Sequence, residues 1–286
     1  MINRWHQFRI CLLQLIMVIL FTGCAHSQAI ITNEIPCRIV KIIDGDSFKI
    51  KPDPGTPHKS LSTLEGLRLI GINSFEMTAK NPHKNMWAHM QKDFAFFFFR
   101  NRQATVKLVQ TPEGTFQRDI YNRLLGYLYN VNKENYQLRV LKQGIINGFY
   151  KYPFNKKLQN QFNNAETHAR KNQLGLYQDA PHLIALSECQ NHFGQVVSIN
   201  LEVKRIIRGA QSIFLIPDKR FNFTVVIPHR YVSTFQASKP PLNFKQLPLQ
   251  WIHVTGLLNI LRNKAIIRVY GPSQLKTTTP SKVKPS

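Results

Sequence analysis

The chain has 286 residues, with 38 Lys and Arg against 15 Asp and Glu, a formal charge of +23 and a pI near 10.1. That length allows two modest domains. The charge points to polyanionic partners, nucleic acid first and an anionic membrane surface second. The four cysteines show no paired Cys/His spacing, which excludes a zinc-finger type of site.

Arg4 and Arg9 precede an apolar run over residues 10–22, too short to cross a bilayer comfortably as a permanent helix. Residues 1–23 are therefore expected to be a lipoprotein-type signal peptide. Small residues precede Cys24, the expected site of acylation, although Phe21 stands where such signals usually carry Leu. Ordinary signal cleavage or an uncleaved anchor are the alternatives. Residues 24–36 follow as a tether. Cys37 and Cys189 are the two cysteines left. In an exported protein they invite one disulfide, with two free buried thiols as the alternative.

From 38 to 50, Ile39, Ile42, Ile43, Phe48 and Ile50 read as strand around a Gly-Asp turn. Lys51 to Gly66 is a turn-rich loop, and Leu67 to Ile72 a further strand. Residues 84–101 have helical periodicity. The Phe96-Phe97-Phe98-Phe99 run within them covers every side of a helix, so part of it is expected to pack between domains. Strands are predicted at 104–110 and 124–129, and helices at 131–144 and 156–172, the latter stopped near Gly175. After residue 190 five short strands follow, at 194–203, 211–216, 221–227, 251–258 and 264–270. They fit a second small barrel of the oligonucleotide-binding type. Residues 187–286 hold 14 Lys and Arg against 3 Asp and Glu, and the tail from Lys276 is predicted disordered. The fold class is thus α+β to all-β. The predicted domains are residues 37–180, a five-stranded OB-fold barrel with helices, and residues 187–274, a second OB-like barrel. Residues 275–286 form a tail.

Three separated segments carry the chemistry: Asp44-Gly45-Asp46-Ser47, then Arg68 through Glu76, then Arg118 through Arg123. Hydrolysis of a phosphodiester needs a cation on a phosphate oxygen, fixed donors on the others and a group that positions water. Asp46, Asn73 and the backbone near Ser74 offer oxygens to a hard cation such as Ca²⁺. Glu76 is placed to hold the attacking water. Arg68 and Arg123 can clamp a phosphate with paired hydrogen bonds. Each residue also has a plain reading: Asp44 and Asp46 as turn formers, Arg68 as an ion-pair partner of Glu76, Arg123 as a strand cap. The histidines are assigned no role.

In this order, Ile43-Asp44-Gly45-Asp46-Ser47, Arg68-Leu69-Ile70-Gly71, Glu76 and Tyr121-Asn122-Arg123-Leu124-Leu125-Gly126-Tyr127 resemble the staphylococcal nuclease family. Leu141-Lys142-Gln143-Gly144, Tyr150, Tyr152, Glu166, Ala169, Arg170, Gly175 and Leu176 extend the resemblance. It implies a Ca²⁺ ligand at Asp46 and places Asn73 where the family's second metal ligand stands. It further implies catalytic roles for Arg68, Glu76 and Arg123, and nucleotide contacts from Tyr121, Tyr150 and Tyr152. The implied activity is a nuclease acting on DNA and RNA with low sequence preference and leaving 3′-phosphate ends. Asn73 departs from the pattern, since a carboxylate usually stands there. Weaker metal binding is expected, and a catalytically silent binding protein is the alternative. The expected partners are nucleic acid and, through the lipid anchor, a membrane; no protein partner is predicted. The expected location is the cell envelope or the exterior.

Overall fold

The computed structural model describes residues 30–56, 61, 63–152, 154–239 and 241–279. The signal-like segment, Cys24 and the last residues of the chain lie outside these. Among the described residues no helix is long and apolar enough to cross a membrane.

The first barrel is built from β2 (Ile35–Ile42), β3 (Ser47–Pro52), β4 (Glu65–Leu69), β6 (Gln103–Gln110) and β7 (Leu124–Asn130). Strand order is β2-β3-β4-β7-β6, and β6 pairs back onto β2, closing the sheet. Alternation along β2 sends Ile35, Cys37, Ile39 and Ile42 inward and leaves the residues between them in solvent. The predicted tether is not all tether. β1 (Ile30–Ile31) pairs with β6, and β2 begins at Ile35. The strand expected at 67–72 is broken at Ile70. There the chain leaves β4 and enters β5 (Gly71–Asn73), which pairs with β8 (Asn147–Phe149).

Three helices pack on this barrel: α1 (Pro82–Phe98), α2 (Tyr136–Lys142) and α3 (Lys156–Lys171). Each starts at an asparagine, Asn81, Asn135 or Asn155, whose side-chain oxygen accepts from first-turn amides. α2 starts later than the predicted residue 131. The Asn130 side chain accepts from the amides of Asn132 and Glu134, and Lys133 takes a positive φ, so residues 131–134 form a turn instead. α3 ends at Asn172, and Gly175 opens a 3-10 turn beyond it.

The phenylalanine run serves mainly the first barrel's own core, not the interdomain face expected for it. Phe99 is fully buried, and Phe98 and Phe99 stack edge-on against each other and around Tyr136. Phe96 faces solvent under the Arg102 guanidinium.

The second barrel repeats the connectivity of the first. A bent first strand, β10 (Val196–Glu202) continuing as β11 (Arg205–Arg208), is followed by β12 (Ser212–Ile216) and β13 (Phe223–Pro228). The short helix α4 (Val232–Gln236) then leads to β14 (Trp251–Leu261) and β15 (Lys264–Arg268). β11 pairs with β12, β13 runs parallel to β15, and β14 returns to β10. The first barrel has the same parallel pair in β4 and β7. The predicted disordered tail starts too early: β16 (Leu275–Thr278) pairs with β14. A short β9 (His182–Leu183) runs parallel to β10.

The expected Cys37–Cys189 disulfide is not formed. Both thiols are free and buried in different cores, Cys37 with the first barrel and Cys189 with the second. Burial pushes the Cys37 thiol up to about 12, with Asp53 adding to it.

α1 joins the barrels. Arg268 and the Tyr270 hydroxyl both donate to Asp93, Tyr231 meets His89 through its hydroxyl, and His89 stacks on Tyr270 at 4.6 Å. Burial, with Arg230 and Lys92 nearby, pulls His89 down to about 4. Such a histidine is neutral in the fold and charges on unfolding. Its contribution is therefore present above the unfolded value, near 6.5, and is lost as pH falls toward 4. From pH 7.5 to 5 the protein should lose about 1–2 kcal/mol that a His89→Gln variant keeps. Urea midpoints of both proteins across this range check it; parallel curves would refute the assignment.

Candidate functional site

The site forms where the β2–β3 hairpin meets the β4–β5 break. Register brings the sequence-distant residues together: Ser47 lies opposite Arg68. Arg68 is buried and reaches two predicted ligands at once. Its Nη1 lies 2.6 Å from Asp46 Oδ1, and its Nη2 donates to Asn73 Oδ1 at 2.8 Å. The ion-pair partner of Arg68 is therefore Asp46 and not Glu76. The other Asp46 oxygen accepts from the Ser74 amide at 2.5 Å, and Ser47 Oγ donates to Oδ1.

Arg123 enters from the turn before β7. Its Nη1 donates to Ser47 Oγ at 2.9 Å, so one hydroxyl links the second arginine to Asp46. Asp119 grips Arg123 through Nε and Nη2. Burial pushes the Asp119 carboxyl up, but hydrogen bonds and charge from Arg123 outweigh it and hold it below its ordinary value. Arg123 has room because Gly66 has no side chain; a Cβ there would lie 3.2 Å from the Arg123 stem.

Asp44 serves the turn, its Oδ1 accepting from the Asp46 amide. Burial, and then the adjacent Asp46, raise it to about 6. Gly45 is packed on all sides: a Cβ would stand 2.9 Å from Ile146 and Ser74 and 3.0 Å from Gln91.

Glu76 is exposed, three residues beyond Asn73 on the loop after β5. Among the tyrosines, Tyr121 is exposed and lies against the Arg123 guanidinium at 5.3 Å. Tyr150 and Tyr152 are half-buried against the first core. The Tyr150 hydroxyl is turned inward, where burial and Glu166 push it up to about 12. Free hydroxyl contact with a nucleotide is thus not what Tyr150 offers.

Sequence reasoning gave no role to the residues that hold these loops. Gln91, fully buried on α1, accepts from the Phe75 amide and donates to the Ile145 carbonyl. Tyr136 donates to the Gly45 carbonyl. The signal for Gln91 is a polar residue within the apolar face of a helix; Tyr136 has none. Ser47 and Asp119 stand inside the quoted motifs, but their bridging roles depend on contacts across strands.

The oxygens gathered at Arg68 are the Asp46 carboxylate, the Asn73 amide and, through Asp46, the Ser47 hydroxyl. Such a set suits a hard cation, with a single carboxylate to bind it. Among the described residues no group of three or more His, Cys, Asp or Glu forms a metal cage.

Residues 66–179 match the family of staphylococcal nuclease homologues. The segment is therefore a staphylococcal-nuclease-type domain, a class with nuclease or nucleic-acid-binding roles. The match begins after the β2–β3 hairpin, so Asp46 joins it through its contact with Arg68. The chain is also 25% identical over 157 residues to an uncharacterized protein of Methanocaldococcus jannaschii, a likeness covering 49% of this chain and 70% of that protein.

Proposed function

We propose that the protein is an exported, Ca²⁺-dependent nuclease that hydrolyses DNA and RNA with little sequence preference and leaves 3′-phosphate ends. The observation that carries this is the convergence of Arg68 on Asp46 and Asn73, joined to Arg123 by Ser47. Two guanidiniums beside one buried carboxylate suit a phosphate that gains charge in the transition state. Asp46, Asn73 and Ser74 would hold the cation, which would supply charge stabilisation on a phosphate oxygen. Arg68 and Arg123 would exchange their present partners for phosphate oxygens, and Glu76 would orient water from the exposed rim. Tyr121 offers a ring for a base to stack on. The basic second barrel would hold more of the strand. Lipidation at Cys24 and a place in the cell envelope belong to the same proposal and rest on the sequence alone.

Asn73 favours a second reading, a binding module without turnover. One experiment separates the two: cleavage of single- and double-stranded DNA over a Ca²⁺ titration to millimolar levels. Calcium-dependent cutting should fall about 10²- to 10⁴-fold in Glu76→Gln, and Asn73→Asp should reach its maximum at lower calcium. Strand binding with no cutting at any calcium level would leave the binding module.

A further inference from the structure

The outer face of the first barrel carries an arrangement that folding alone disfavours. Across β2 and β3, Arg38 stands opposite Lys51 and Lys41 opposite Lys49. All four are exposed. Like charges directly opposite each other weaken a sheet. Among the described residues, none of the four makes an ion pair that would offset this.

The position of these pairs is equally informative. Strand alternation places Ser47, Lys49 and Lys51 on one side of β3, and Ser47 is the residue that receives Arg123. Lys49 lies opposite Gly66, the residue over which the Arg123 stem runs. A bulge between Ile39 and Lys41 turns both Val40 and Lys41 outward, bringing Lys41 level with Lys49. The cations therefore form a row that starts at Arg68 and Arg123 and runs outward through Lys49 and Lys41 to Lys51 and Arg38. Lys92 of α1 lies within reach of the charges of Asp44, Lys41, Asp93 and Arg230, the last from the second barrel.

We propose that the outer face of β2 and β3 is a track for the phosphodiester backbone of a nucleic acid, guiding the strand that flanks the reacting phosphate. The proposal rests on the nuclease-type reading for its ligand class. It commits to contact with phosphates, so it gives affinity and salt dependence without sequence preference.

The test uses the full chain and a fluorescent single-stranded DNA of about 20 nucleotides, with binding followed by anisotropy in EDTA over a salt series. The variants are Lys41→Gln with Lys49→Gln, Arg38→Gln with Lys51→Gln, and all four together. Each phosphate contact removed should lower the slope of log K against log salt by about 0.7, and the fourfold variant should bind about tenfold more weakly or worse. Melting temperatures should not fall, because each pair relieves a repulsion; this separates a lost track from a lost fold. Cleavage of a dinucleotide substrate, too short to reach the track, should stay at the wild-type rate. Unchanged affinity and slope in the fourfold variant would overturn the track. Binding that follows these expectations without cleavage by the parent protein at any calcium level would sustain the track and remove the nuclease reading.

Discussion

Arg68→Met should destabilise the protein by about 3–5 kcal/mol, because it strips the partner from a buried carboxylate. The Asp46 side chain is 7% exposed and its ion pair with Arg68 spans 2.6 Å. Asn73 loses its donor in the same step. Urea unfolding in EDTA measures the loss. Millimolar Ca²⁺ should return part of it, since a cation held by Asp46 replaces the missing charge and binds only the folded state. Activity should fall about 10²-fold or more even at saturating calcium, because a fixed donor to the phosphate is gone. Arg68→Lys should recover more stability than activity: an ammonium restores the charge but not a planar fork that reaches Asp46 and Asn73 together. A wild-type urea midpoint for Arg68→Met would contradict the buried pair.

Gly144→Ala should be the most damaging single methyl in the first domain. Gly144 has φ +65° and its Cβ would stand 2.1 Å from the Leu174 carbonyl oxygen, a backbone atom with nowhere to go. Gly175, at φ +57°, would in turn press its Cβ to 2.3 Å from the Gly144 carbonyl oxygen, which accepts from the Leu176 amide. The chain leaving α2 and the chain leaving α3 thus cross backbone to backbone. A loss of roughly 4 kcal/mol or more is expected, combining overpacking with left-handed strain. Gly114→Ala supplies the control. It has φ +82° but nothing within 4 Å of its Cβ, so it should cost only the strain, about 1–2 kcal/mol. Equal urea midpoints for the two variants would show that the crossing is not tight.

The barrels were legible in the sequence because their strands alternate and their turns carry Gly, Pro and Asn. Of the residues named from their motifs, Asp46, Arg68 and Asn73 meet directly and Arg123 joins them through Ser47, whereas Glu76 stands exposed on the loop after β5. What was not legible depends on contacts between distant segments. β11 is a short, exposed Arg-Ile-Ile-Arg stretch with no alternation to announce it. β16 looks like a polar tail and becomes a strand only because β14 has a free edge for it. Cys37 and Cys189 have suitable types and a suitable count, yet folding sends them into separate cores. Gln91 shows the same limit at the site, since its value lies in Phe75 and Ile145, at sequence distances of 16 and 54.

The wall that α1 provides to both barrels has a consequence for how the molecule comes apart. Val196, Leu257 and Tyr270, all from the second half of the chain, belong to the first barrel's apolar core. Cutting the chain after the first barrel would therefore expose Trp87, Met90 and their neighbours, leaving a half that is prone to stick. The two barrels should melt together in a single calorimetric transition, and the protein is better dissected by point changes than by truncation.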